Sequence, residues 1–159
     1  MKPAASSSAL VPSLCFVRPE HEPGPESALR LLATAAVDQG YAREEFVTAV
    51  IERESTFPTG LPLPVPVAIP HADACHILRP GIAALVPRAP LRFGEMGGRA
   101  RTVEAELVLM LLVDHPSEQV ALLGKLIAAL RRPDLREVLL DGVEQPDELV
   151  RRFDTLIGN

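Results

Sequence analysis

The run Leu107-Val108-Leu109-Met110-Leu111-Leu112-Val113 constrains the fold more than any other stretch of the chain. It contains no glycine, proline or charge. Its length is well short of the roughly 18 apolar residues a membrane-crossing helix needs. It is instead the length of a strand, and it lacks the period-2 alternation of a strand wetted on one face. A strand over Glu106–Val113 therefore belongs in the centre of a sheet covered on both sides.

The flanking pattern supplies the covering layers. Leu14–Val17 reads as a short first strand. Ser27 is placed to cap a helix whose Leu29, Leu32, Ala33, Ala36 and Val37 share one face, with Gly40 as its stop. A second helix is expected over Arg43–Glu54, with Phe46, Val47, Val50 and Ile51 inward. Thr56–Pro66 is crowded with prolines and reads as irregular. Val67–Ile69 and Gly81–Val86 read as buried strands stopped by Pro70 and by Pro87 and Pro90. Ser117 opens a helix to about Arg131, with Val120, Leu123, Ile127 and Leu130 inward. A short helix follows from Pro133 to Leu140. Pro146, with Asp147 and Glu148 behind it, opens a last helix that buries Leu149, Phe153, Leu156 and Ile157. The expected fold is α/β: one domain over residues 14–159, with a mixed sheet flanked by helices on both faces. Residues 1–13 are expected to be a disordered tail.

Composition narrows the function. A chain of 159 residues suits a single core. Its net charge of -5 argues against a sequence-independent grip on nucleic acid. No Lys/Arg run suggests a membrane surface, and Met1–Pro12 has no apolar stretch of signal-peptide length. The expected location is cytoplasmic, with Cys15 and Cys75 as free thiols. Neither GxxxxGK[ST] nor GxGxxG occurs, so no nucleotide cofactor is expected.

His71 is the leading candidate for chemistry. A buried strand ends at Ile69 and Pro70 fixes its exit, so the imidazole is held at a rigid strand end within solvent reach. On that dipeptide alone, a satisfied turn histidine is the commoner case. Arg53 has the planar donor fork that suits phosphoryl oxygens, but at a helix end it could equally pair with Glu52 or Glu54. Gln119 reads first as a solvated first-turn residue. His71, Cys75 and His76 leave a zinc site one ligand short, and no metal is expected. Asp73 could fix the His71 tautomer or equally repel an incoming phosphoryl anion, and its role stays open.

The segment Ala68-Ile69-Pro70-His71 resembles the active-site motif of the fructose/mannitol class (type 2) of IIA components of the bacterial sugar phosphotransferase system. Glu52-Arg53-Glu54 followed by Thr59-Gly60 resembles that family's arginine-bearing helix end and Thr-Gly turn. Pro80–Leu85 and Glu118–Leu126 resemble the strand after the active site and the helix that completes it. The likeness spans about Ala28 to Phe153. Gln119 stands where the family often has a second histidine, and Ala72 where it commonly has glycine. Phe57–Pro62 and Phe93–Gly97 look most like the galactitol-type branch.

The resemblance implies a phosphohistidine carrier with His71 as the phosphorylated nucleophile and Arg53 and Gln119 beside it. A neutral imidazole can accept a phosphoryl group and release it again, with positioning and charge stabilisation as the main requirements. The implied partners are the histidine-containing phosphocarrier protein (HPr) as donor, a cysteine on a IIB component as acceptor and, indirectly, the membrane IIC component. Two alternatives remain at this stage. One is a regulatory IIA-like module that controls a partner by its phosphorylation state. The other is an interaction domain that has lost phosphotransfer.

Overall fold

The structure, a computed structural model, describes residues 10–20, 24–98 and 100–158. In chain order the elements are β1 (Leu10–Val17), α1 (Pro25–Asp38), α2 (Glu45–Thr56), β2 (Gly60–Leu61), β3 (Val67–Ala68), β4 (Gly81–Val86), β5 (Leu91–Gly94), β6 (Thr102–Ala105), β7 (Leu107–Leu112), α3 (Pro116–Leu130) and α4 (Pro146–Gly158). A 3-10 turn at Ala74–His76 and a π-helical turn at Arg136–Leu140 complete the set.

The main sheet runs β1-β4-β7-β3-β2, with β7 in the middle as its apolar run requires. Pairing is parallel for β1–β4 and β3–β7 and antiparallel for β4–β7 and β2–β3, so the sheet is mixed. Alternate residues of β4 and β7 feed two separate cores. Ala83, Leu85, Val108, Met110 and Leu112 pack with Leu32 and Ala36 of α1 and Phe46 and Val50 of α2. Ile82, Ala84, Leu107, Leu109 and Leu111 pack with Leu126 and Leu130 of α3, Leu139, and Leu149 and Phe153 of α4. Two apolar layers explain why neither strand alternates with polar residues.

Several boundaries differ from the sequence reading. The first strand begins at Leu10, so residues 10–13 are not tail; Leu10 is 2% exposed. Pro12 is accommodated because β1 is an edge strand whose register shifts between Leu10 and Cys15. Residues 1–9 of the expected tail lie outside the described residues. Ser27 is not the cap of α1. Gly24 is, and the Ser27 hydroxyl both accepts from Gly24 N–H and donates to Gly24 O, with Pro25 in the first turn. Gly40 does follow the helix end, at φ +83°.

The irregular stretch after α2 contains β2, which pairs with β3. The β5–β6 hairpin was not anticipated. It buries Leu91, Phe93, Val103 and Ala105 against the α1/α2 core. Val120, expected to face inward, is 72% exposed, and Leu126 takes the buried position instead.

Candidate active site

Three chain segments meet where β3 ends. The Ile69 N–H donates to both the carbonyl and the hydroxyl of Thr59, at 3.3 and 3.2 Å. The Leu111 N–H of β7 donates to Pro70 O at 3.0 Å. Ile69 and Pro70 are thus tied on both sides, and His71 leaves the sheet from a fixed base.

The His71 ring is more enclosed than expected, at 9% exposure. Its Nδ1 lies 2.9 Å from Ile69 O. A carbonyl only accepts, so Nδ1 carries the proton and Nε2 holds the lone pair. Burial lowers the proton affinity of the ring below its ordinary value. The Ile69 carbonyl opposes this, and the Arg53 charge adds to it. The imidazole is therefore neutral at pH 7, the form that can attack phosphorus. The tautomer role that Asp73 was one candidate for is taken by a backbone carbonyl.

Arg53 sits in the last turn of α2, near enough to His71 to influence its titration. Its guanidinium carbon is 5.3 Å from the centroid of the exposed Phe57 ring. Its Nε is buried and has no hydrogen-bond partner. Among the described residues no ion pair joins Arg53 to Glu52 or Glu54. Glu54 instead accepts from Thr59 twice, from the N–H at 2.8 Å and from the hydroxyl at 2.8 Å. A buried, unpaired guanidinium nitrogen is uncommon and equips this corner for an anion.

Gln119 reaches in from the first turn of α3 and donates from Nε2 to Ala72 O at 3.1 Å. Its own N–H already bonds His115 O at 3.0 Å, so that amide is not offered to a ligand. The structure therefore brings Arg53 and Gln119 to the segment carrying His71. Among the described residues no three His, Cys, Asp or Glu side chains are grouped as metal ligands. Cys75 is an exposed free thiol.

The sequence reading missed the Glu54–Thr59 pair. A carboxylate closing a helix five residues before a Thr-Gly was its signal. Burial pushes the Glu54 carboxyl up to about 7, against the pull of Thr59 and Arg53. A carboxyl raised on folding contributes stability below its ordinary value and loses it as pH rises through about 7. The wild type should lose about 1 kcal/mol between pH 5 and 8 through this group, the shift being discounted for partial exposure. Urea unfolding of wild type and Glu54→Gln at both pH values checks this. An equal change in the two proteins would contradict it. His71 acts with the opposite sign, because its contribution is lost as pH falls below 6.5, and it is common to both proteins.

Residues 13–155 match the family described as "Phosphoenolpyruvate-dependent sugar phosphotransferase system, EIIA 2", so the chain belongs to the type 2 EIIA phosphocarriers of the sugar phosphotransferase system. It is 34% identical over 103 residues to the galactitol-specific EIIA component of Escherichia coli K12, covering 64% of this chain and 68% of that protein. The fold matches the crystal structure of IIA mannitol from Escherichia coli with a TM-score of 0.68 and 23% identity, over 90% of this chain and 97% of that one. It also matches the nitrogen regulatory protein IIA-Ntr from Neisseria meningitidis, with a TM-score of 0.72 and 20% identity, over 91% and 95% of the two chains. Among the described residues no helix is long and apolar enough to cross a membrane.

Proposed function

We propose that His71 is the phosphorylated residue of this EIIA protein and that Nε2 is the attacking atom. The observation that carries this reading is the Nδ1 bond to Ile69 O, which commits the ring's proton and leaves Nε2 as the nucleophile. In the step, the Nε2 lone pair forms the new N–P bond as the donor's N–P bond breaks, and its electrons stay on the donor imidazole. Nδ1 keeps its proton throughout. The buried Arg53 Nε supplies a donor to the phosphoryl oxygens. Gln119 acts through the backbone, holding Ala72 beside the reacting histidine.

The donor in this reading is HPr. The acceptor is a IIB cysteine, whose thiolate forms a P–S bond and returns His71 to its neutral state. One solved relative is the Escherichia coli mannitol IIA in complex with phosphorylated IIB, which supports a IIB partner here. The galactitol-specific relatives favour a galactitol-type IIB, and the reading carries a cytoplasmic site of action with it. Exposed Phe57, beside Arg53, provides apolar ground for docking, and Val120, next after Gln119 in sequence, is also exposed.

The test incubates the protein with phosphoenolpyruvate, enzyme I and HPr and examines it by mass spectrometry. The expected result is one acid-labile phosphoryl group on the peptide containing His71, and none on His71→Gln. An adduct that persists in His71→Gln would refute the assignment.

A further inference from the structure

Behind His71 runs a continuous line of hydrogen bonds that the transfer step itself does not use. Both Glu54 oxygens accept from Thr59. The Thr59 hydroxyl donates to Glu54 and accepts from the Ile69 N–H. The carbonyl of the same Ile69 accepts from His71 Nδ1. Thr59 is 2% exposed, and Ile69 is fully buried. Every bond in the line has one possible direction once Glu54 is ionised. The carboxylate can only accept, so the hydroxyl hydrogen points to it, and the hydroxyl's free lone pair is turned to Ile69.

We propose that Glu54 is a positioning residue for phosphoryl transfer: through Thr59 and Ile69 it holds His71 in the tautomer and orientation that present Nε2. This rests on the reading of His71 as the phosphorylated residue. An isosteric amide breaks the line at its first link. Glutamine accepts with one atom and must turn an N–H₂ towards the second Thr59 donor. Thr59 then rotates or withdraws, and the constraint on Ile69 relaxes. Among the described residues Glu54 makes no hydrogen bond to the ring or to Arg53's buried Nε, so its bonded route to the histidine runs through Thr59, and its charge reaches Arg53 only through space. The charged group facing Glu54 is Arg53, on its own helix. From the β2–β3 side it meets Thr59, which is uncharged, with His71 the titratable group beyond. The raised carboxyl titration, at about 7, adds a pH signature. Ionisation of Glu54 near neutral pH tightens the line.

The experiment combines nitrogen-15 NMR of His71 with single-turnover phosphorylation by HPr, on full-length wild type, Glu54→Gln, Thr59→Ser and Thr59→Val. At pH 8, where Glu54 is ionised, wild type and Thr59→Ser should show only the Nδ1–H tautomer. Glu54→Gln and Thr59→Val should show a tautomer mixture and transfer about tenfold slower, with an unchanged concentration dependence on HPr. The wild-type rate should also rise between pH 6.5 and 8, and that rise should be absent in Glu54→Gln. A folded Glu54→Gln or Thr59→Val protein with a single wild-type tautomer and wild-type rate would overturn the proposal. The tautomer measurement needs no phosphoryl donor. A wild type that is never phosphorylated would therefore count against His71 as acceptor and leave the positioning line separately decided.

Discussion

Arg53→Ala should slow transfer of a phosphoryl group to His71 about 100-fold, the scale seen when one preorganised donor is removed from a developing anion. The guanidinium is held in place before the ligand arrives. It lies beside the Phe57 ring, and its Nε is buried without a competing partner. No carboxylate needs to be displaced, since Glu54 is engaged by Thr59. Gln119→Ala should cost about 2- to 13-fold, because it removes one neutral hydrogen bond worth about 0.5–1.5 kcal/mol, made to the Ala72 carbonyl and not to the phosphoryl group. Gln119→His should stay active, as an imidazole N–H can donate to the same carbonyl. Rates of transfer from HPr to each variant measure the ranking. A Gln119→Ala protein slower than Arg53→Ala would reverse it.

Gly60→Ala should destabilise the protein by about 3 kcal/mol and impair transfer as well. A Cβ on Gly60 would lie 2.6 Å from the Gly94 carbonyl oxygen and 2.6 Å from Val103 Cγ2. The first obstacle is backbone, which cannot rotate away. Gly60 also accepts from Met96 N–H at 2.8 Å and bridges to Glu95, so the β5–β6 hairpin is seated directly on it. Relief requires the hairpin to lift or β2 to shift. A shift of β2 moves Thr59 and through it Ile69. Urea denaturation reads the loss of stability, and single-turnover phosphorylation reads the effect on the site. Wild-type values for both would show that the close approach is absent in solution.

The parts of the fold that were legible in the sequence are those fixed by burial on two faces. Leu107–Leu112 and Gly81–Val86 read as interior strands from their unbroken apolar runs, and Ile69-Pro70-His71 read as a strand exit. The parts that were not legible depend on pairing across distance. Gly60–Leu61 is strand only because β3 lies alongside it, and nothing local in a proline-rich stretch announces that. The β5–β6 hairpin did carry a local signal, with exposed and buried residues alternating along Thr102–Ala105. Val120 shows the limit of helical periodicity: a position four residues from the helix start can satisfy the apolar spacing and still be exposed.

The site divides in the same way. The sequence singled out His71, Arg53 and Gln119, and the resemblance supplied their grouping. Their couplings were not identifiable. The tautomer is set by a main-chain carbonyl, Ile69 O, and a backbone group has no signature in sequence. Gln119 serves the Ala72 carbonyl, where the sequence alone suggested a solvated first-turn residue. Glu54 looked like an ion-pair partner for Arg53 because the two are adjacent in sequence. Neighbours on a helix point about 100° apart, so adjacency works against contact.

Phosphorus–nitrogen coupling in the NMR spectrum of the phosphorylated, nitrogen-15-labelled protein tests the central claim most directly. The Ile69 carbonyl reserves Nδ1 for its proton, so the phosphoryl group should couple to Nε2 of His71, with Nδ1 still bearing hydrogen. Coupling to Nδ1 of His71, or to any other histidine, would contradict the account.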